Sequence, residues 1–300
     1  MADFTTTTPS RAFILGLADT DGHLDAGPLY AVAEAAGFTT TTIRLALKRL
    51  IEAGFVDRRG RGRKASLQLT PAGLSERLED LAWVAFAHRA DAGLDVWDGR
   101  WNLVSFEIPE DKRPARDALR NRITELLGAP VGGALYVSPH PWKPWIDAIA
   151  TANNVADRVT TITATQLHHR GLTEPAAVAR SLWPIDELAA DYKAFVARWE
   201  QQPAAPDQVT TVRLAFQAST EIEALLRRDP LLPDKILPDD FAGQSARKLY
   251  LEVMANLAEE PLVAAANIYT AYRSAIDRAL SQTAEEFWSV AFADTRAKPA

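Results

Sequence analysis

The run Thr39-Thr40-Thr41-Thr42-Ile43-Arg44-Leu45-Ala46-Leu47-Lys48-Arg49-Leu50-Ile51-Glu52-Ala53-Gly54 decides how the N-terminal part folds. At about 100° per residue, Ile43, Leu47 and Leu50 share one stripe, flanked by Ala46 and Ile51, and that stripe packs inward. Thr39 or Thr40 is placed to cap the helix, and Gly54 to close it. The opposite face carries Thr41, Leu45 and Lys48, flanked by Thr42, Arg44 and Arg49. Leu45 is apolar on that outer face; it reads either as a contact for a thymine methyl or as an incidental surface leucine. Directly after the helix come Phe55-Val56-Asp57-Arg58-Arg59, Gly60-Arg61-Gly62-Arg63-Lys64 and Ala65-Ser66-Leu67-Gln68-Leu69-Thr70. This is strand, glycine-containing tip, strand: a β-hairpin with its cations at the tip.

Upstream, Phe13, Ile14 and Leu17 predict a first helix over Ser10 to Ala18. A second is expected over Pro28 to Ala36, with Pro28 at its first position, where a missing N–H costs nothing. Gly37-Phe38 makes the turn. Thr70 caps a further helix. Helix, helix, turn, helix and basic hairpin follow one another within about 60 residues, which is the order of a winged helix-turn-helix. Thr40, Thr41, Thr42, Arg44, Leu45, Lys48 and Arg49 would then face a major groove. Arg58, Arg59, Arg61, Arg63 and Lys64 would form a wing reaching phosphates or the minor groove.

The charge supports this division. The 300 residues carry 33 Lys and Arg against 39 Asp and Glu, a net charge of −6. Between Thr40 and Ser66 eight bases face two acids, so the rest of the chain carries −12. An acidic protein with one short basic island has the electrostatics of a regulator with a single nucleic-acid-binding face. With 47% hydrophobic and 24% charged residues the composition is globular. Cysteine is absent, which excludes disulfides, thiolate nucleophiles and Cys-ligated metal sites and fits a reducing cytoplasm. No apolar run reaches the roughly 18 residues of a membrane span. The N-terminus reads as a loose leader ending at Pro9, and Asp294 to Ala300 as a loose tail.

Downstream, Trp97-Asp98-Gly99-Arg100-Trp101-Asn102-Leu103-Val104-Ser105-Phe106-Glu107-Ile108-Pro109-Glu110, Gly132-Gly133-Ala134-Leu135-Tyr136-Val137-Ser138-Pro139, Asp229-Pro230-Leu231-Leu232-Pro233 and Leu237-Pro238-Asp239-Asp240-Phe241-Ala242-Gly243 resemble the PaaX-type repressors of phenylacetate degradation. So does the wing from Gly62-Arg63-Lys64 to Leu69-Thr70-Pro71-Ala72-Gly73. The resemblance spans residues 10 to 290. It implies an α+β, multidomain chain: a winged-helix domain over 1–90, a ferredoxin-like domain similar to the small CRISPR-associated nuclease subunit over 91–175, and a helical C-terminal domain over 176–300. It implies a homodimeric, cytoplasmic repressor that binds a double-stranded DNA operator, is not an enzyme, needs no cofactor, and is released by an aryl-acyl-CoA effector such as phenylacetyl-CoA.

The residues of the middle part agree. Trp101 to Ile108 is apolar on both faces, as a central strand should be. Lys112 to Leu127 predicts a helix with Leu119, Ile123, Leu126 and Leu127 inward and Gly128 as its stop. Strands are expected over Val131 to Val137 and Val159 to Ala164, with a helix near Trp142 to Asn153, a β-α-β-α-β order. Trp97, Trp101 and Tyr136 read as core aromatics. Linkers are expected at Ala90 to Gly93 and Gln202 to Asp207. Further on, Ile185, Leu188, Tyr192, Phe195 and Trp199 follow 3-4-3-4 spacing, and Ala246, Leu249, Tyr250, Val253 and Leu257 give a second stripe. Both seams are core first, with a dimer interface as a second use.

Coenzyme A carries phosphates, so its site needs cations. Arg227, Arg228, Lys235, Arg247 and Lys248 surround the Asp229–Phe241 segment and are candidates; the alternative is that they are salt bridges holding helices and loop together. The row Arg113, Arg116, Arg120 reads as a solvated helix face or a phosphate contact. Two rival functions stand beside the repressor: a metal-dependent nuclease built on Glu107, Glu110 and Asp111 at the end of the first middle strand, and a small-molecule sensor acting through a protein partner. His168 and His169 are adjacent and diverge on any regular element, so they do not form a joint metal site. His23 and His140 carry no motif, and hydrolase, NTPase and zinc-protease signatures are absent from the sequence.

Overall fold

Phe13 and Ile14 on α1 (Pro9–Gly16) and Leu17 directly after it are all buried in a computed structural model, which describes residues 9–201, 207–264 and 268–291. The expected leader before Pro9, the tail from Asp294 and most of the Gln202–Asp207 linker lie outside the described residues. The chain divides into two compact units. One consists of Met1–Arg89, Phe195–Ala224 and Ser245–Gln282, the other of Ala90–Ala194, Leu225–Gln244 and Thr283–Ala300.

In the first unit α1 is followed by β1 (His23–Asp25), α2 (Ala26–Ala35), α3 (Thr40–Glu52), β2 (Val56–Arg59), β3 (Ser66–Leu69) and α4 (Pro71–Asp91). The strands form an antiparallel sheet in the order β1-β3-β2. Sequence periodicity missed β1, because three residues contain too little alternation to be read. Its presence moves the start of α2 to Ala26, whose N–H donates to the Ala65 carbonyl. Pro28 is therefore the third helical residue rather than the first, still within the turn whose N–H groups have no intrahelical acceptor. The same unit contains α9 (Gln208–Leu226), α10 (Gly243–Leu257), α11 (Pro261–Ala264) and α12 (Ile268–Ser281), except for the ends of α9 and α10.

The second unit is built on β4 (Trp101–Phe106), α5 (Arg113–Glu125), β5 (Ala129–Gly132), β6 (Leu135–Ser138), α6 (Lys143–Ala152) and β7 (Val159–Ala164). The strands pair antiparallel in the order β5-β6-β4-β7. The single strand expected over Val131 to Val137 is a hairpin, turned at Gly133 with a positive φ of 58°. The motif is thus a complete βαββαβ, ferredoxin-like sheet. One face packs Val104, Phe106 and Tyr136 against Leu119 and Ile123 of α5, Ile146 of α6 and Trp142 just before α6. The other packs Trp101, Leu103 and Val137 against Ala179, Trp183, Ile185, Leu232 and Ile236, drawing on α7 (Pro175–Leu182) and the start of α8 (Ile185–Glu200). The Trp101 and Trp183 rings stack with centroids 6.4 Å apart. Two covered faces explain why β4 buries apolar residues on both sides, Trp101 and Leu103 on one and Val104 and Phe106 on the other. A last helix, α13 (Ala284–Ala291), belongs to the same unit.

All five residues of the Ile185–Trp199 stripe are buried. The α10 stripe is centred instead on Ala246, Tyr250 and Met254, while Leu249, Val253 and Leu257 are only half-buried. No helix among the described residues is long and apolar enough to cross a membrane. Helix α4 continues through Asp91 into the stretch expected as a linker, and Gly93 turns the chain with a φ of 68°.

The stop after α5 differs from expectation. Leu127, not Gly128, adopts the left-handed conformation, with φ 53°. Gly128 is needed for space instead: a Cβ there would lie 2.2 Å from Cζ3 of the buried Trp142. Gly128→Ala is therefore expected to destabilise the protein by about 2–3 kcal/mol through overpacking. At Gly16, in a helix with nothing within 4 Å of an added Cβ, the same change should stabilise by about 0.5 kcal/mol. Thermal unfolding of both variants checks the pair; equal effects would remove the steric argument.

Candidate nucleic-acid interface

Helix α3 is oriented by what it buries. Ile43, Ala46, Leu47 and Leu50 are all buried, which turns Thr41, Thr42, Arg44, Leu45, Lys48 and Arg49 outward, every one of them exposed together with Thr40. Leu45 is 50% exposed, against the direction the hydrophobic effect would drive it. The helix start is fixed by Thr39, whose Oγ1 accepts the Thr42 N–H at 3.1 Å and lies 2.8 Å from the Thr42 hydroxyl. Thr42 is thus tied into the cap, whereas Thr41 stands on the outer face. Among the described residues, Lys48 is the one cation of this face and the hairpin with a carboxylate within 4 Å, Glu52 at 3.5 Å. Such an exposed i,i+4 pair is worth about 0.5 kcal/mol or less and gives way readily to another anion.

The hairpin after α3 is anchored at its base and open at its tip. Val56 and Leu69 are buried partners at the base, and Arg59 pairs with Ser66 at the other end. Gly60 and Gly62, at φ 83° and 66°, turn the tip, which includes a short 3₁₀ turn at Gly62–Lys64. Arg58, Arg59, Arg61 and Lys64 are exposed; the Arg63 side chain lies outside the described residues. Thr70 closes the base, donating to the Gly54 carbonyl at 2.6 Å and accepting from the Gly73 N–H at 3.2 Å. Gly73 lets α4 pass against the strand, since a Cβ there would sit 2.1 Å from the Phe55 carbonyl oxygen.

Two contacts of this unit could not be read from the sequence. Phe38, in the turn before α3, meets Phe13 of α1 and Phe216 of α9, with centroids 4.8 and 5.2 Å away; Phe13 and Phe216 meet edge-on at 5.2 Å. The turn that aims α3 is therefore gripped by a helix 170 or more positions away in the chain, a spacing no periodicity reveals. Arg89, almost wholly buried near the end of α4, donates to the carbonyls of Ala279 and Gln282 at the C-terminal end of α12.

The five cations considered for an effector divide between the units. Arg227, Arg228 and Lys235 are exposed in the second unit, where Arg228 lies 2.8 Å from both Glu187 and Asp191. Arg247, which is buried, and Lys248, which lies 3.9 Å from Glu252, belong to the first. The intervening segment contributes Leu232 and Ile236 to the core. Of the acidic residues beyond β4, Glu110 is engaged: the Arg116 guanidinium donates to it at 2.8 Å and holds its carboxyl below the usual range. Arg113 lies within ion-pair distance of Glu110 and Asp117. His169 is buried and His168 exposed. No group of three or more His, Asp or Glu side chains suited to a metal ion occurs among the described residues.

Residues 94–179 match the family described as PaaX protein central Cas2-like domain, and residues 183–267 match the PaaX-like protein C-terminal domain. The transcriptional repressor PaaX of Escherichia coli (strain K12) is 30% identical over 255 residues, covering 80% of this chain and 76% of that protein. Among solved structures, the uncharacterized protein Rv0674 from Mycobacterium tuberculosis superposes with a TM-score of 0.53 at 21% identity, covering 89% of this chain and 95% of that one. That likeness concerns the fold.

The Thr39 cap is open to test. Thr39→Ala should cost about 1 kcal/mol of stability, and Thr39→Asp should restore most of it, because the carboxylate also accepts from the first turn. Chemical denaturation of the three proteins measures this; an unaffected Thr39→Ala protein would show that the cap does not hold the start of α3.

Proposed function

This chain belongs to the PaaX family, and on that premise we propose that it is a DNA-binding repressor of aromatic-acid catabolic genes. Its α1–α3 segment and three-stranded sheet form a winged helix-turn-helix, with α3 as the reading helix and the β2–β3 hairpin as the wing. The observation that carries the reading is the outer face of α3, where Thr41, Arg44, Leu45, Lys48 and Arg49 are exposed beside a hairpin tip of exposed cations. Arginine and lysine donate to guanine edges and phosphates, and Leu45 can meet a thymine methyl. The name of the Escherichia coli relative, a transcriptional repressor, supports the same function.

The mechanism follows from two-fold symmetry. A homodimer in the cytoplasm presents two reading helices to half-sites about one turn of DNA apart. An aryl-acyl-CoA, of which phenylacetyl-CoA is the example, binds better to a geometry in which the two heads are mis-spaced, and so shifts the population off the operator. Its phosphates require cations. Arg227, Arg228 and Lys235 in one unit, and Arg247 and Lys248 in the other, are the candidates. The Arg228 pairs with Glu187 and Asp191 are exposed, so exchanging those carboxylates for phosphate costs little. No catalytic step and no cofactor enter this function.

Titrating the protein's own upstream DNA at several salt concentrations tests the reading. A specific complex should form whose log K falls linearly with log salt. Arg61→Ala with Arg63→Ala should weaken binding to all sequences alike and flatten the slope by about one for each phosphate left without its cation. Arg44→Ala or Lys48→Ala should instead change sequence preference, by about 1–3 kcal/mol at the base pair contacted. Phenylacetyl-CoA should release the complex where coenzyme A alone does not. Sequence-blind losses from both sets of variants would refute the groove assignment, and absence of any sequence preference would refute the repressor.

A further inference from the structure

Of the residues from Gly37 to Thr42, Phe38 alone is not exposed. It stands directly before the Thr39 cap, the position whose packing sets the angle at which the chain enters a helix. Behind it the turn is closed by backbone bonds to the end of α2, from the Gly37 N–H to the Glu34 carbonyl and from the Phe38 N–H to the Ala33 carbonyl. Around Gly37 itself, nothing lies within 4 Å of an added Cβ. What Phe38 packs against is two further rings. Phe13 of α1 is tilted at 49° to it, Phe216 of α9 meets it at 70°, and Phe13 and Phe216 are edge-on to each other at 82°. Aromatic pairs have preferred geometries, so three of them around a triangle hold orientation as well as distance.

Helix α9 has an anchor of its own. Val212, Ala215, Ser219 and Ile222 form its buried stripe, and the Ser219 hydroxyl lies 3.0 Å from the Tyr250 hydroxyl of α10. Phe216 flanks that stripe and is half-buried. All three rings lie in the first unit. We propose that Phe216 is a positioning residue for DNA reading: through Phe38 it sets the angle of α3, so that sequence preference depends on a side chain in the C-terminal third of the chain. The 13 residues of α3 make a helix about 20 Å long, so a tilt of about 5° at its start moves its far end by roughly 2 Å. Hydrogen bonds to base edges do not survive a shift of that size. Phosphate contacts do, because the long exposed side chains of the hairpin can follow a backbone that carries charge all along its length. Loss of the Phe216 ring therefore acts on specific binding and spares non-specific binding.

The inference rests on the reading of α3 as the DNA-reading helix, and one titration separates the two. The full chain, wild-type and Phe216→Ala, is titrated with its own upstream DNA and with a scrambled duplex of equal length. The wild type should prefer the upstream DNA. In Phe216→Ala that preference should fall about tenfold or more, the loss of one or two base contacts, while affinity for the scrambled duplex stays within about twofold. A purely structural loss lowers the active fraction and weakens both complexes alike, leaving their ratio intact. Ile222→Val, which takes a methylene from the buried stripe of the same helix, should leave the ratio unchanged. Circular dichroism checks folding; if Phe216→Ala does not fold, Phe216→Leu, which keeps bulk but not the ring, should lower the ratio in its place. An unchanged ratio in the folded variant, equal losses on both duplexes, or the same fall in Ile222→Val overturns the positioning role alone. A wild type that prefers neither duplex overturns the positioning role and the reading of α3 together.

Discussion

Everything assigned to the outer face of α3 depends on the burial of Ile43, Ala46, Leu47 and Leu50 on its inner one. A fully buried leucine or isoleucine contributes about 1.5–3 kcal/mol, whereas the exposed Lys48–Glu52 pair contributes about 0.5 kcal/mol or less. The apolar stripe, not the cations, therefore fixes the direction of the helix. Once it is fixed, the outer positions are nearly irrelevant to stability and can be chosen for their chemistry. Two arginines, a lysine, two threonines and an exposed leucine occupy them.

Local periodicity made such elements legible. Helix α3, strand β4 and helix α8 lie where the spacing of apolar residues puts them, because each has one face or two that must leave water. The basic face and the hairpin were legible for the same reason. What escaped was either too short or too distant. Three residues of β1 contain too little alternation. The β5–β6 hairpin reads as one strand because Gly132-Gly133 interrupts an apolar run without a polar break. Leu127 takes a left-handed conformation that composition assigns to the neighbouring glycine, and only the Trp142 ring explains why Gly128 has to be there. The grip of Phe216 on the turn before α3 depends on a contact that no local pattern contains.

The net charge of −6 is an average over opposites. Twenty-seven residues carry +6, and the other 273 carry −12. At physiological ionic strength, charges more than about 8 Å apart are largely screened, so a phosphate backbone responds to the surface closest to it rather than to the sum. On the repressor reading proposed above, the acidic remainder acts by exclusion: it disfavours the other faces of the protein lying on DNA and leaves α3 and the hairpin to make the contact.

The sheet of the second unit follows a similar logic of exclusion. Both its faces are covered, one by α5 and α6 and the other by the residues around Trp183 and Leu232, so it can grow only at an edge. An edge strand is a hazard, because its unpaired backbone groups accept any extended chain. Pro130 and the register shift remove that hazard from β5. Strand β7, at the other edge, has no proline and pairs with β4 in unbroken register.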